Sequence, residues 1–145
     1  MPAIVDGMAL VYSAGFKASA QRIRDLEGVS LHFSEYSCQQ NSEEFRQWWI
    51  ANGDTQWPVY FWGDLDYSGM GILANLKHRF ENITAWQAGY QPMLELLLTG
   101  AGHDATTTGK QQQIDPKKTG CSFADSKLLP VLRKYRRFID QEWLC

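Results

Sequence analysis

The stretch VYFWGDLDYSG, residues 59–69, decides how this sequence is interpreted. Its first four residues are apolar and predict a buried strand that ends at Gly63. Asp64 and Asp66 follow, and side chains two residues apart in extended backbone project to the same side. Two carboxylates held close together repel each other unless a cation lies between them, and hard oxygen ligands favour Mg²⁺ or Mn²⁺. The stretch therefore predicts that Asp64 and Asp66 form a divalent-metal site at the end of a strand.

The residues after the aspartates favour a phosphate beside the metal. Residues 68–80 have apolar side chains at helical spacing, so we predict a helix there. Ser68 is predicted to cap this helix, whose N-terminus then faces the metal and suits a phosphate. Gly63 and Gly69 are predicted to let the backbone turn tightly and approach a ligand. The alternative is an acidic turn in which an aspartate serves only as a helix cap.

The rest of the chain alternates between strand and helix patterns. Further strands are predicted at 8–13, 30–36 and 83–88, and further helices at 16–26, 42–51 (capped by Ser42), 91–98 and 125–143, with a long polar loop at 100–120. This order is typical of an α/β fold with a mostly parallel sheet and helices on both faces. Functional groups in such a sheet lie beyond the carboxyl ends of its strands. We predict a single domain over residues 1–145.

Composition narrows the class of protein. The 145 residues are 44% hydrophobic and 21% charged, a balance that excludes disorder. The sequence has no apolar run of about 18 residues and no signal-peptide pattern, so we expect a cytoplasmic protein without a membrane segment. Three cysteines without a CxxC pair argue against a disulfide framework or a zinc site.

Charge differs between the two parts of the chain. Residues 1–100 carry 6 basic and 11 acidic residues, whereas residues 101–145 carry 8 basic and 5 acidic ones. A basic segment beside an acidic metal site suits an enzyme that acts on a polyanion such as DNA. The predicted phosphate or DNA contacts are Ser68, Lys110, Lys117, Lys118, Arg133 and Arg137. The alternative is a solvated helix face.

These residues resemble a known family. The strand, the GDLDYSGMGIL run (residues 63–73) and the helix resemble the DxD motif of the Toprim domain. The resemblance is closest to type IIB topoisomerase A subunits and to the C-terminal domain of JetD, the nuclease subunit of Wadjet plasmid-defence systems. JetD-like sequences also resemble ALVYSAGF (residues 9–16), where Gly15 ends a strand before a helix, and the terminal pair Gln141–Glu142.

The resemblance implies a Toprim-like, Rossmann-like fold and metal-dependent cleavage of DNA. Asp64 and Asp66 would be catalytic and would hold Mg²⁺ or Mn²⁺ near the scissile phosphate, and Glu142 would approach the same site as a further catalytic acid. The implied partners are DNA, a second copy of the chain in a homodimer, and other subunits of a defence complex. An interface is also consistent with the six tryptophans.

One departure from the family pattern leaves alternatives open. Toprim domains carry a catalytic glutamate after their first strand, and residues 1–7 contain Asp6 but no glutamate. We therefore expect this chain to be a C-terminal fragment, or a shortened member, that begins inside the domain. One alternative is a non-catalytic Toprim-like module. Another is a HAD-type phosphohydrolase, in which Asp64 attacks a phosphate and Asp66 protonates the leaving group.

Overall fold

The protein is described here by a computed structural model that covers residues 8–11, 20–27, 29–35, 38–50, 57–104 and 113–144. Its elements in chain order are a 3₁₀ turn Ala20–Arg22, α1 Gln39–Ile50, β1 Tyr60–Phe61, α2 Tyr67–Lys77, β2 Thr84–Ala85, α3 Gln87–Leu98, β3 His103–Asp104, a π-helical turn Ala124–Leu128, α4 Leu129–Tyr135, β4 Arg137–Phe138 and a 3₁₀ turn Gln141–Leu144. Among the residues covered, no helix has the length and apolar character needed to cross a membrane.

The centre of the fold is a β1–α2–β2 crossover. β1 and β2 are parallel, with Tyr60 opposite Thr84 and Phe61 opposite Ala85. Backbone hydrogen bonds from Thr84 N to Val59 O and from Trp86 N to Phe61 O extend the pairing at both ends. The predicted strands at 59–62 and 83–88 are confirmed only over Tyr60–Phe61 and Thr84–Ala85, and residues 87–88 belong to a helix instead. The predicted helices at 68–80 and 91–98 are confirmed as α2, which ends at Lys77, and α3, which starts at Gln87. This mixed architecture is compatible with the α/β class, and its one parallel sheet in the described chain has two strands.

The predicted helix over 125–143 is wrong beyond residue 135. Arg136 adopts left-handed backbone with φ 52°, and its N–H donates to the Leu132 carbonyl, which ends α4. The chain then becomes β4, which pairs antiparallel with β3 inside the segment predicted as a polar loop. Ile139 continues the apolar spacing beyond the end of α4. It is fully buried, but it lies in a strand-like bridge to Leu65 and not on a helix face.

The predictions for the N-terminal part also need correction. Met8, Leu10 and Val11 are exposed and form no strand, and residues 12–13 lie outside the described residues, as does Gly15. The predicted helix at 16–26 is represented by the single turn Ala20–Arg22, with 16–19 outside the described residues. Residues 30–35 form no strand. In the 30–35 stretch, Phe33 packs against Phe45 of α1, with 6.0 Å between ring centroids, instead of pairing in a sheet.

Helix α1 confirms the predicted helix at 42–51 but starts three residues earlier. Ser42 is not its cap, because its hydroxyl donates to the Cys38 carbonyl. Arg24 joins α1 to the end of α2. The residue is 3% exposed, and its guanidinium donates to the carbonyls of Trp49 and Trp48, both at 2.8 Å, and of Arg79 at 3.1 Å.

The core lies between α2, α3 and α4. The fully buried side chains are contributed by one face of each helix and by the strand segments beside them: Leu65, Met70, Leu73, Tyr90, Met93, Leu97, Leu128, Leu129, Leu132, Phe138 and Ile139. Leu65 lies between Asp64 and Asp66 in the turn formed by residues 63–66, called the acidic turn below. Its burial anchors this turn to the core.

Candidate functional site

Asp66 begins helix α2. Its backbone is extended, and its Oδ1 accepts a hydrogen bond from Gly69 N at 2.7 Å, as an N-cap side chain does. Its Oδ2 accepts from Gln113 Nε2 at 2.8 Å, and the residue is only 2% exposed. The prediction that Ser68 caps this helix is therefore wrong. Asp66 is the cap, and the Ser68 N–H donates to Gln113 Oε1 at 3.0 Å.

The C-terminal segment binds Asp64. Leu65 and Ile139 form an antiparallel bridge, with N···O distances of 2.9 and 3.2 Å. This bridge brings Gln141 N to 2.9 Å from Asp64 Oδ1. Glu142, the predicted third acid, follows Gln141 and is exposed. The C-terminal segment therefore returns to the turn that carries Asp64.

Gly69 and Tyr90 each make a close contact with the backbone of the acidic turn. An added Cβ at Gly69 would lie 2.2 Å from the Asp64 carbonyl oxygen, so the close approach at Gly69 is to this backbone oxygen. The Tyr90 hydroxyl, which is fully buried, accepts from Gly63 N at 3.1 Å. Burial raises the pKa of Tyr90, and the nearby charges of Asp66 and Asp64 raise that pKa further. The phenol therefore stays neutral and acts as a fixed support for the turn.

The two aspartates fit a hard divalent cation in their chemistry. The hydrogen bonds described above come from neutral N–H groups of Gly69, Gln113 and Gln141. A carboxylate oxygen has more than one acceptor position, so the bonds from Gly69 N and Gln141 N are compatible with a cation on the same carboxylates. In the part of the chain that the structure describes, no group of three or more His, Cys, Asp or Glu residues is arranged to hold a metal. Two carboxylates completed by water and substrate phosphate are a common ligand set for Mg²⁺.

A family comparison matches the same region. Residues 4–91 match the family described as Wadjet protein JetD, C-terminal. The chain belongs to this family. The match includes β1, the acidic turn, α2 and β2, and it confirms the resemblance to JetD that the motif indicated. No curated protein and no solved structure matches the chain.

In this JetD C-terminal family member, both predicted DNA-binding arginines hold the chain in place. Arg133 forms a two-point ion pair with Asp115, with Nε–Oδ2 at 2.7 Å and Nη2–Oδ1 at 2.8 Å, and also donates to the Lys117 carbonyl. This pairing keeps the pKa of Asp115 below its usual value. Arg137 donates to the carbonyls of Ala101 and Gly102.

Two of the three predicted DNA-binding lysines lie within the described residues. Lys117 and Lys118 are exposed on the segment that follows Gln113, and Lys110 lies outside the described residues. An exposed lysine pair four and five residues after Gln113 is available for a phosphate backbone. DNA contact by the lysines and arginines stays a prediction.

Sequence reasoning missed two residues that shape the site. Gln113 belongs to a run of three glutamines in a polar stretch, and nothing in that composition indicates a contact with Asp66. Tyr90 lies in the predicted strand-to-helix connection, 27 residues from the Gly63 N–H that it binds. Its contact depends on the parallel pairing of β1 and β2, which sequence spacing alone does not provide.

Proposed function

We propose that this chain is a metal-dependent DNA-cleaving domain of a Wadjet defence protein, with Asp64 and Asp66 holding Mg²⁺ or Mn²⁺. The observation that carries the proposal is the β1–α2 turn. It presents both carboxylates between the end of a strand and the start of a helix, within the residues that match the JetD family. This is the edge at which α/β proteins bind ligands.

Asp64, Asp66, Ser68 and Tyr90 each have a role in this proposal. A divalent ion supplies Lewis-acid polarisation of the scissile phosphate and activation of a water molecule when it is bound. Asp64 and Asp66 hold the ion, and the N-terminus of α2, through the Ser68 N–H, orients a phosphate oxygen. Tyr90 fixes the backbone at Gly63, so the carboxylates keep their position while the substrate binds.

The proposed partner is DNA, held by the exposed lysines that follow Gln113. Glu142 supplies a further acid from the C-terminal segment that binds Asp64. A homodimer and association with other defence subunits are part of the same proposal. A dimer would supply two cleavage sites for the two strands of a duplex.

Cleavage of supercoiled plasmid tests the proposal. With Mn²⁺ we expect nicked and linear products, and Asp64→Asn should reduce the rate about 100-fold or more, because loss of a metal ligand exceeds the effect of losing its supporting contacts. Asparagine keeps an oxygen that accepts from Gln141 N, so folding is retained. Glu43→Gln is the matched control, since Glu43 lies on α1 and interacts there with Arg46 and Gln47. Equal cleavage by wild type and Asp64→Asn would contradict the proposal.

A second candidate is a non-catalytic module of the same family. The observation that favours it is the role of Asp66 as a buried helix cap, which explains this carboxylate without a metal. The two candidates differ in two measurable properties. The non-catalytic module predicts no Mn²⁺-dependent cleavage and no change in stability when Mn²⁺ is added.

A further inference from the structure

A single side chain, Gln113, bridges the two parts of the proposed site. Its amide nitrogen donates to Asp66 Oδ2 at 2.8 Å, and its amide oxygen accepts from Ser68 N at 3.0 Å. One contact is made to a metal-binding carboxylate and the other to the helix N–H that would bind a phosphate. The two contacts lie 47 and 45 residues away along the chain, so they come from tertiary structure and not from a local turn.

The NH₂ group of the Gln113 amide lies where a metal ion would bind, and its oxygen lies where a phosphate oxygen would bind. The NH₂ group presents positive partial charge to Asp66, as a cation would, and the carbonyl oxygen presents negative partial charge to Ser68 N–H, as a phosphate oxygen would. We propose that Gln113 is an internal competitor at this site, whose amide must leave before metal and phosphate bind together. This inference rests on the proposed function of Asp64 and Asp66.

The ion pair that anchors this segment is made by Asp115 and not by Gln113. Asp115, two residues later, is fixed to α4 by the two-point ion pair with Arg133. Ile114 between them is 85% exposed, so on the described side of Gln113 the adjacent residue contributes little apolar packing. Withdrawal of the amide therefore breaks its two hydrogen bonds while the Arg133–Asp115 anchor stays in place.

Calorimetric titration of the intact chain with Mn²⁺ alone tests the inference. Gln113→Ala removes the competing amide, so we expect Mn²⁺ to bind at least about 10-fold more tightly than to wild type, the change that corresponds to one hydrogen bond to a charged group. Gln113→Asn, whose shorter side chain does not span both contacts, should tighten Mn²⁺ binding in the same direction. Gln91→Ala is the matched control, because the Gln91 amide binds Glu95 on the surface of α3, and it should leave the affinity unchanged.

The outcomes separate this inference from the function on which it rests. Tighter Mn²⁺ binding by both Gln113 variants supports the competitor role. If Mn²⁺ binds wild type and binds the folded Gln113 variants equally or more weakly, Gln113 orients Asp66 instead, and the inference is overturned while the metal site stands. If Mn²⁺ binds none of the folded proteins, the metal site and the inference both fail. A urea titration of each variant establishes that it is folded.

Discussion

Replacing Gly69 by alanine tests whether α2 packs against the acidic turn as described. The new Cβ would lie 2.2 Å from the Asp64 carbonyl oxygen, and because the backbone fixes the positions of both atoms, no rotamer change relieves the clash. The helix start and the turn must separate by about 1 Å, and overpacking of this kind costs about 1–3 kcal/mol. For a chain of this size that cost lowers Tm by roughly 3–10 °C.

Gly71→Ala is the matched control in the same helix. An added Cβ at Gly71 meets nothing within 4 Å, so the gain in helix propensity of about 0.5–1 kcal/mol should appear as stabilisation. Urea denaturation of both variants gives the two free energies of unfolding. The packing described for the turn is refuted if Gly69→Ala is as stable as wild type, or if Gly71→Ala loses as much stability as Gly69→Ala.

Three further predictions concern the supports of the fold, each measured by urea denaturation. Tyr90→Phe leaves the Gly63 N–H without its acceptor and should cost about 1–2 kcal/mol; no loss would show that this hydrogen bond is not a support. Arg24→Met removes three hydrogen bonds to backbone carbonyls and should cost about 3 kcal/mol, whereas a small loss would contradict its anchoring role. Arg133→Gln should cost less than about 1 kcal/mol at neutral pH, because the pair with Asp115 is partly exposed. The lowered pKa of Asp115 makes this contribution fully present above the ordinary aspartate pKa of about 4 and lost as pH falls through the lowered value, so the two proteins should converge in acid; a constant difference would contradict the pairing.

The acidic turn could be predicted from the sequence because its signals are local. An apolar run that ends in glycine, followed by two aspartates and an amphipathic helix, specifies a strand, a turn and a helix without distant information. The identity of the cap was harder to predict, since Asp66 and Ser68 are both good N-cap residues. The structure selects Asp66, whose Oδ1 accepts from Gly69 N.

The C-terminal segment could not be predicted in the same way. Leu128 and Leu132 fit a helical stripe and are buried on α4, but Ile139 continues the same spacing while lying in a bridge to Leu65. The break at Arg136 depends on the pairing of β4 with β3, which lies more than thirty residues earlier in the chain. Tertiary pairing overrides local periodicity here, and it also brings Gln141 to Asp64 and Gln113 to Asp66.

The central claim is that Asp64 and Asp66 hold a divalent ion, and the thermal stability of the chain with Mn²⁺ tests it most directly. A ligand present at 100 times its Kd stabilises the folded state by about 2.7 kcal/mol, which raises Tm by roughly 5–10 °C for a chain of this length. We predict this rise for wild type and its loss in the Asp64→Asn, Asp66→Asn double variant, in which each asparagine keeps one accepting oxygen, for Gln141 N at residue 64 and for the cap to Gly69 N at residue 66. An unchanged Tm for wild type, or an equal rise in the double variant, would contradict the claim.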